Sequence, residues 1–332
     1  MLTSLEFCVL ERTKQLGRIM KNVIKNSALA TLAALALLTT ACTRKTAALG
    51  SEENPVKLHF VPSVDAKVIE DNSKAFKAYL EKNTPYKYEI TIPQSYVAVV
   101  EAFGTKRADV AAFNTFGYIL AHDKYGAEAK MTVLRHGLAT YQSQFIVKAG
   151  SSIKKLEDLA GKKIAFVEPA STSGYLLPLK TLKEKNITPK ETVFAGKHDN
   201  VVSMVYQGQV DAGATFYSPP FKDEKGEMKM EDARRLVLTQ YPDVEAKVVI
   251  LSLSEPITND PIVFRKDMPE EMKTKIVDAM MAFVTTPEGK EAFKAIYGIT
   301  EIKKATDADY DVARAMLKTA GANAEDLLTK KK

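Results

Sequence analysis

The chain is predicted to be an α/β protein of two lobes with a ligand cleft between them. Strand-like and helix-like segments alternate from Val56 onward, the composition breaks near mid-chain at Ala149-Gly150-Ser151-Ser152, and a β-rich run over 247–253 carries the chain back. Two lobes joined by a return crossing turn strand ends and helix starts toward one cleft, where open α/β folds bind ligands.

Residues 1–41 fall outside that fold. Met20-Lys21-Asn22-Val23-Ile24-Lys25 is a basic start, and the apolar run over 28–38 has the length of an export signal. It falls short of the roughly 20 residues of a membrane-spanning helix. Met20 opens a complete signal, so residues 1–19, with Cys8, read as an upstream extension. Cys42 follows Thr39-Thr40-Ala41 as the expected lipid acceptor of a bacterial lipoprotein, although Leu38 stands four residues before it where the usual pattern has three. A lipid-anchored protein of the periplasm or of the outer face of the cell membrane is expected. Without the leader, Cys42 is the sole cysteine, which leaves no disulfide and no Cys-based metal site within the chain. Residues 42–54 are small and polar, as in a tether. Removing five basic and two acidic residues with the leader leaves 42 against 39, a net charge of +3, which gives no reason to expect nucleic acid as a partner.

The first lobe, 55–147 with 251–332, begins with a strand over 56–61. A helix follows over 65–81, its apolar Val68, Ile69, Phe76 and Leu80 at helical spacing. Then come a strand over 88–92, a helix over 95–103 ending near Gly104, a short buried strand over 108–113, a helix over 116–124, and strands over 131–134 and 141–148. The second lobe, 148–250, repeats the alternation: helix 154–159, strand 163–167, helix 176–185, strand 191–194, helix 200–207 and strand 210–215. Largely parallel sheets are expected. Beyond the return, 262–264 is a strand. Residues 270–317 are helical in pattern, interrupted at Pro287-Glu288-Gly289, with Ile276, Met280, Phe283, Phe293 and Ile296 as core.

Two strand-to-helix loops carry the chemistry. In Ser171-Thr172-Ser173-Gly174-Tyr175, three hydroxyls and the free N–H groups of a helix start point donors into one small volume, where the helix dipole also favours negative charge. An ordinary N-cap uses the same residues. Gly196-Lys197-His198-Asp199-Asn200 lies at the same kind of loop; His198 can donate to an anion, and a neighbouring negative charge would favour its protonated form. The plainer reading makes it a capping histidine, with Asp199 or Asn200 as the N-cap. Across the cleft, Tyr96 and Asn114 also begin helices after strands, and Tyr141 sits near the crossing. Asp211 and Asp109 open buried strands at matching points of the two lobes and read as structural acceptors for backbone N–H groups.

These motifs, together with Pro178, Gly208-Gln209-Val210-Asp211-Ala212-Gly213 and Asn259-Asp260-Pro261-Ile262-Val263 followed by Arg265, resemble in order and spacing the phosphonate, phosphite and phosphate binding lipoproteins and periplasmic proteins of ABC importers. The resemblance runs from about Val56 to Gly298. It implies a type II periplasmic-binding-protein fold, no catalysis and no cofactor. The implied role is a monomeric receptor that captures a phosphorus oxyanion and delivers it to permease subunits. It assigns Tyr96, Ser171, Thr172, Ser173 and His198 as donors to the phosphorus oxygens, with Tyr141 and Asp260 touching the rest of the ligand. A carboxylate such as Asp260 accepts only from a protonated anion or an amine.

Two departures from the family stand out. Asn114-Thr115-Phe116-Gly117-Tyr118 replaces the usual Gly-Pro before an aromatic, so Asn114 either adds polar contacts or caps the helix. Thr215-Phe216-Tyr217-Ser218-Pro219-Pro220 has no acidic residue to meet an amine, which favours a smaller or apolar ligand with Phe216 and Tyr217 as cleft walls. Two other functions fit the residue types. A receptor of the same fold could signal the presence of another small anion. Ser173, His198 and an Asp have the makings of a hydrolytic triad, but Ser173 lacks the Gly-x-Ser-x-Gly turn that exposes a nucleophile.

Overall fold

The structure, a computed structural model, describes residues 47–319. The export signal and the lipid-acceptor Cys42 expected from the sequence lie outside the described residues. Among the described residues, no helix is long and apolar enough to cross a membrane.

In chain order the elements are β1 (Val56–Phe60), α1 (Ala66–Asn83), β2 (Tyr88–Thr91), α2 (Tyr96–Gly104), β3 (Val110–Ala112), α3 (Thr115–Tyr125), β4 (Glu128–Leu134) and β5 (Thr140–Lys148). They continue with β6 (Lys163–Phe166), a π-helical turn (Thr172–Leu176), α4 (Leu177–Glu184), β7 (Glu191–Phe194), α5 (His198–Gln207) and β8 (Ala212–Tyr217). A small hairpin of β9 (Phe221–Lys222) and β10 (Met228–Lys229) precedes a 3-10 turn (Ala233–Val237), α6 (Val244–Lys247), β11 (Val248–Leu253), β12 (Ile257–Thr258) and β13 (Pro261–Phe264). The chain closes with α7 (Glu270–Phe283), α8 (Pro287–Tyr297), β14 (Glu301–Lys304) and α9 (Asp311–Thr319).

Two sheets result, in the strand orders β14-β4-β13-β3-β1-β2 and β11-β5-β8-β6-β7, with β12 beside β5. Both are mixed rather than largely parallel. β1 pairs parallel with β2 and β3, and β6 with β7 and β8, but β13 lies antiparallel between β3 and β4, and β5 antiparallel between β8 and β11. The antiparallel strands are those on which the chain leaves one sheet and returns to the other. Local chemistry supports each turn of the path. Asp65 caps α1 by accepting from the Lys67 N–H at 2.8 Å, and α1 buries Ile69, Phe76 and Leu80. Phe76 meets Phe283 of α7 and Phe293 of α8 at centroid separations of 5.4 and 5.1 Å. Each such buried ring contributes about 1.5–3 kcal/mol. Asp109 and Asp211 fill the same post in the two sheets, accepting from the N–H groups of Lys57 and Lys163, each at 2.8 Å.

The sheet change lies earlier than the composition break suggested. β5 already belongs to the second sheet over its whole length, so the crossing falls at 135–139 and the return at Asn259-Asp260. A two-residue turn makes the crossing: His136 and Gly137 both have positive φ, 51° and 77°, while Arg135 and Leu138 exchange backbone bonds of 3.1 and 3.0 Å. Asn259, fully buried, ties the two crossing segments together. Its Nδ2 donates to Val133 O and Leu138 O, and its Oδ1 accepts from Arg135.

Three other expectations change. The tail is not helical throughout: Ile302 turns inward while Glu301 and Lys303 face out, a two-residue period that lets β14 pair with β4. The helix expected over 154–159 is a single 3-10 turn, Leu156–Leu159, held by Asp158 accepting from the Lys154 and Lys155 N–H groups. The helix expected over 200–207 begins at His198, after a Lys197 N-cap without a side-chain bond, so neither Asp199 nor Asn200 is the cap.

Candidate functional site

The π-helical turn Thr172–Leu176 begins where β6 ends. Its wide i→i−5 geometry, Leu176 N–H to Ser171 O at 3.0 Å, leaves the N–H groups of four residues before Leu176 outside the helical ladder. Ser171 Oγ takes one of them, Gly174 N–H, at 3.1 Å. Val167 N–H donates to Gly174 O at 3.1 Å and fixes the turn on the strand end. Ser171, Thr172 and Ser173 are all buried.

These hydroxyls line a cavity of about 60 Å³ that also includes Tyr96, Asn114, Tyr141, His198 and Asp260. All eight sequence-predicted residues therefore meet at one place, drawn from both sheets. The cavity is small beside the roughly 300–1,000 Å³ of sites for drug-sized ligands. Tyr96, at the start of α2, has a hydroxyl without a well-formed partner. Burial and then the Glu168 carboxylate push its phenol well above the ordinary value, so it stays protonated and can donate. Thr172 is committed more strictly. Its Oγ1 accepts from Phe116 N–H at 2.9 Å and from Asn114 Nδ2 at 3.0 Å, which occupies both lone pairs and leaves its proton as the group to offer.

Asn114 resolves as a tie rather than a cap. It stands at the N-cap of α3 but makes no capping bond, and its Nδ2 also donates to Ala170 O at 2.9 Å. Its Oδ1 is buried without a partner. His198 opens α5 with its ring edge-on to Phe216, centroids 5.0 Å apart. Its pKa is lowered to about 3, first by burial and then by the charge of Arg135, so no carboxylate protonates it and the neutral ring offers one N–H. Its Nδ1 has no partner. A triad needs a carboxylate at that nitrogen to orient the ring, and the hydrolytic arrangement is not built.

Four polar lining residues escaped sequence reasoning: Ser63, Arg135, Arg235 and Tyr297. Arg135 follows β4 as the first residue of the crossing turn. It donates to Asp260 Oδ2 at 2.8 Å, Asn259 Oδ1 at 3.0 Å and Tyr297 O at 3.0 Å. Asp260 thus meets the cavity already paired with a cation. A lone arginine at a strand end beside the Arg135-His136-Gly137 turn was the available signal. Arg235, by contrast, reads in sequence as half of an ordinary surface pair, Arg234-Arg235. Phe216 lines the cavity as expected of a cleft wall, whereas Tyr217 is not among its lining residues. The site is a small enclosure of hydroxyl and imidazole donors at three helix starts, with guanidinium donors beside them, suited to replacing the hydration shell of a compact anion.

Comparison with known proteins points the same way. The model of the ABC transporter phosphonate periplasmic substrate-binding protein family matches residues 58–310. The chain is 33% identical over 222 residues to the phosphate-import protein PhnD of Mycolicibacterium smegmatis, covering 59% of this chain and 68% of that one. It is 27% identical over 226 residues to the phosphonates-binding periplasmic protein of Escherichia coli, covering 65% and 62%. Its fold matches that of PhnD1 from Prochlorococcus marinus, solved in complex with methylphosphonate, with a TM-score of 0.68 at 18% identity over 81% of this chain and 98% of that one. The match over residues 58–310, on a two-sheet α/β fold of the type II class, makes the chain a member of the phosphonate family of ABC-transporter periplasmic substrate-binding proteins, which are binding proteins and not enzymes.

Proposed function

We propose that this protein captures a phosphorus oxyanion (a small phosphonate, phosphite or phosphate) between its two lobes and delivers it to the permease of an ABC importer. The observation that carries the reading is the convergence of Tyr96, Ser171, Thr172, Ser173 and His198, from loops of both sheets, on one cavity of about 60 Å³. Neutral hydroxyls and N–H groups that close around a tetrahedral anion replace its hydration, and each bond left unmade in a closed site costs about 1–3 kcal/mol. Relatives of this chain bear the names of phosphate- and phosphonate-binding proteins, and one was solved with methylphosphonate. Asn114, Tyr141, Phe216 and Asp260 then decide what the fourth substituent on phosphorus is. The lobes close about the crossing at 135–139 and the return at Asn259-Asp260. The working form is a monomer held to the membrane by a lipid on Cys42.

Calorimetry of residues 43–332 against phosphate, phosphite, methylphosphonate and hypophosphite checks this function. At least one is expected to bind in the micromolar range or tighter, about −8 kcal/mol or more. No heat from any of them at millimolar concentration would sink the oxyanion reading.

A further inference from the structure

After β8 the chain runs out from the second sheet as the β9–β10 hairpin and the 3-10 turn Ala233–Val237. Asp232 and Arg234 pin this strap to its own sheet: Arg234 donates to Asp232 and to Val248 O, and Gln144 donates to Asp232. Glu231 and Arg235 point the opposite way, to the corner where α8 of the other sheet ends. A Cβ on Gly298 would lie 2.4 Å from Glu231 Oε1 and 3.0 Å from an Arg235 terminal nitrogen, so both side-chain ends lie directly against this glycine. Phe221 of the same strap stacks on His136, with centroids 3.6 Å apart and planes 16° from parallel. The Glu231 carboxylate lies 3.4 Å from Arg235 Nε and 3.7 Å from His136 Nε2. It steers both groups but forms a well-made hydrogen bond with neither, so Arg235 Nε, itself buried, has the carboxylate beside it without a formed hydrogen bond.

Arg235 also lines the cavity, together with Arg135. The two guanidinium groups repel each other, and the charge of Arg135 helps to lower the pKa of Arg235, after burial as the main cause. Arg135 and the partly buried Arg235 stand beside the carboxylates of Asp260 and Glu231, and both line one small cavity, where an anion gains a second guanidinium as partner. We propose that Arg235 is a further ligand-binding residue, which the strap carries into the anion site when the sheets close and which Glu231 positions. This assignment rests on the oxyanion reading above and adds to it a preference for doubly charged ligands, because a second guanidinium, only partly offset by Glu231, lines the cavity with that of Arg135.

Calorimetry on the full protein and on Arg235→Gln, Arg235→Lys and Glu231→Gln tests it, with methylphosphonate in alkaline buffer as the dianion and hypophosphite as the monoanion. Arg235→Gln is expected to weaken methylphosphonate binding by about 30-fold or more and hypophosphite binding distinctly less. Arg235→Lys should recover part of the loss, and Glu231→Gln should fall between the two. A purely structural role would weaken both ligands alike, and that result overturns the assignment. So does methylphosphonate affinity within twofold of wild type in Arg235→Gln. Wild-type protein that binds neither anion, nor phosphate or phosphite, overturns the oxyanion reading itself and this assignment with it.

Discussion

At the scale of single residues, His198 carries the clearest pH signature. Its unfolded pKa is the ordinary 6.5, whereas burial, helped by Arg135, holds the folded value to about 3. Between those values the unfolded chain takes up a proton that the folded chain refuses, so stability is full above about pH 6.5 and falls as the pH drops toward 3. At about pH 4.5 that single group costs on the order of 2–3 kcal/mol. His59, lowered to about 4 mainly by burial, adds a second contribution of the same sign. Urea midpoints of wild type and His198→Gln across this range should diverge, the variant losing less stability on acidification. Parallel curves would place the acid sensitivity elsewhere. His198 was legible because a strand, a glycine and a helix start flank it within a dozen residues, and local spacing reports such posts. Its protonation was not, because it is set by burial in the folded chain and by the charge of Arg135, far away in sequence. The same distance hid Arg135 itself, whose partner Asp260 lies 125 positions on.

At the scale of elements, the π-helical turn depends on one glycine. A Cβ on Gly174 would meet Val167 Cγ2 at 2.4 Å and Val167 Cβ at 2.7 Å, the side chain that follows directly on β6. Gly174→Ala must therefore push the turn off the strand end and loosen the Ser171 cap. An overpacking cost of about 1–3 kcal/mol in unfolding free energy is expected, together with a loss of oxyanion affinity, since the displaced turn carries three of the donors. Val167→Ala in the same chain opens the space and should restore part of both. A Gly174→Ala protein with wild-type stability and affinity would show that the turn tolerates a methyl group there. The sequence revealed that a helix starts near Ser171, because Ser, Thr and Gly mark such starts. It did not reveal the wider π turn, which is set by the Val167 N–H reaching Gly174 O and so by tertiary contact. β14 was missed for a related reason: four residues with one inward Ile302 carry too little periodicity to stand apart from the helical segments on either side.

At the scale of the whole molecule, the two sheets meet through backbone and side-chain bonds that flank the cavity. Glu168 accepts from Tyr96 N–H at 3.0 Å, Lys197 lies 3.7 Å from Asp65, and Thr172 Oγ1 accepts from both Phe116 N–H and Asn114 Nδ2. The Thr172 contact is the one most open to test, because in an open arrangement both donors find water, whereas in the closed one Phe116 N–H turns to this oxygen and Asn114 Nδ2 shares itself between it and Ala170 O. Thr172→Val keeps the shape and removes the acceptor. Phe116 N–H then goes unmet at about 1–3 kcal/mol, and Asn114 Nδ2 keeps only its bond to Ala170 O, a cost that falls on closure rather than on the fold of either sheet. Ligand affinity is expected to fall by at least about 30-fold, the equivalent of some 2 kcal/mol, and ligand-free small-angle scattering should shift toward a larger radius of gyration. Thr172→Ser, which keeps the oxygen, should behave like wild type in scattering and lose little affinity. If Thr172→Val bound as tightly as Thr172→Ser and scattered identically, the bonds of Thr172 across the cleft would have no part in closure, and the anion would be held by donors that need no such movement.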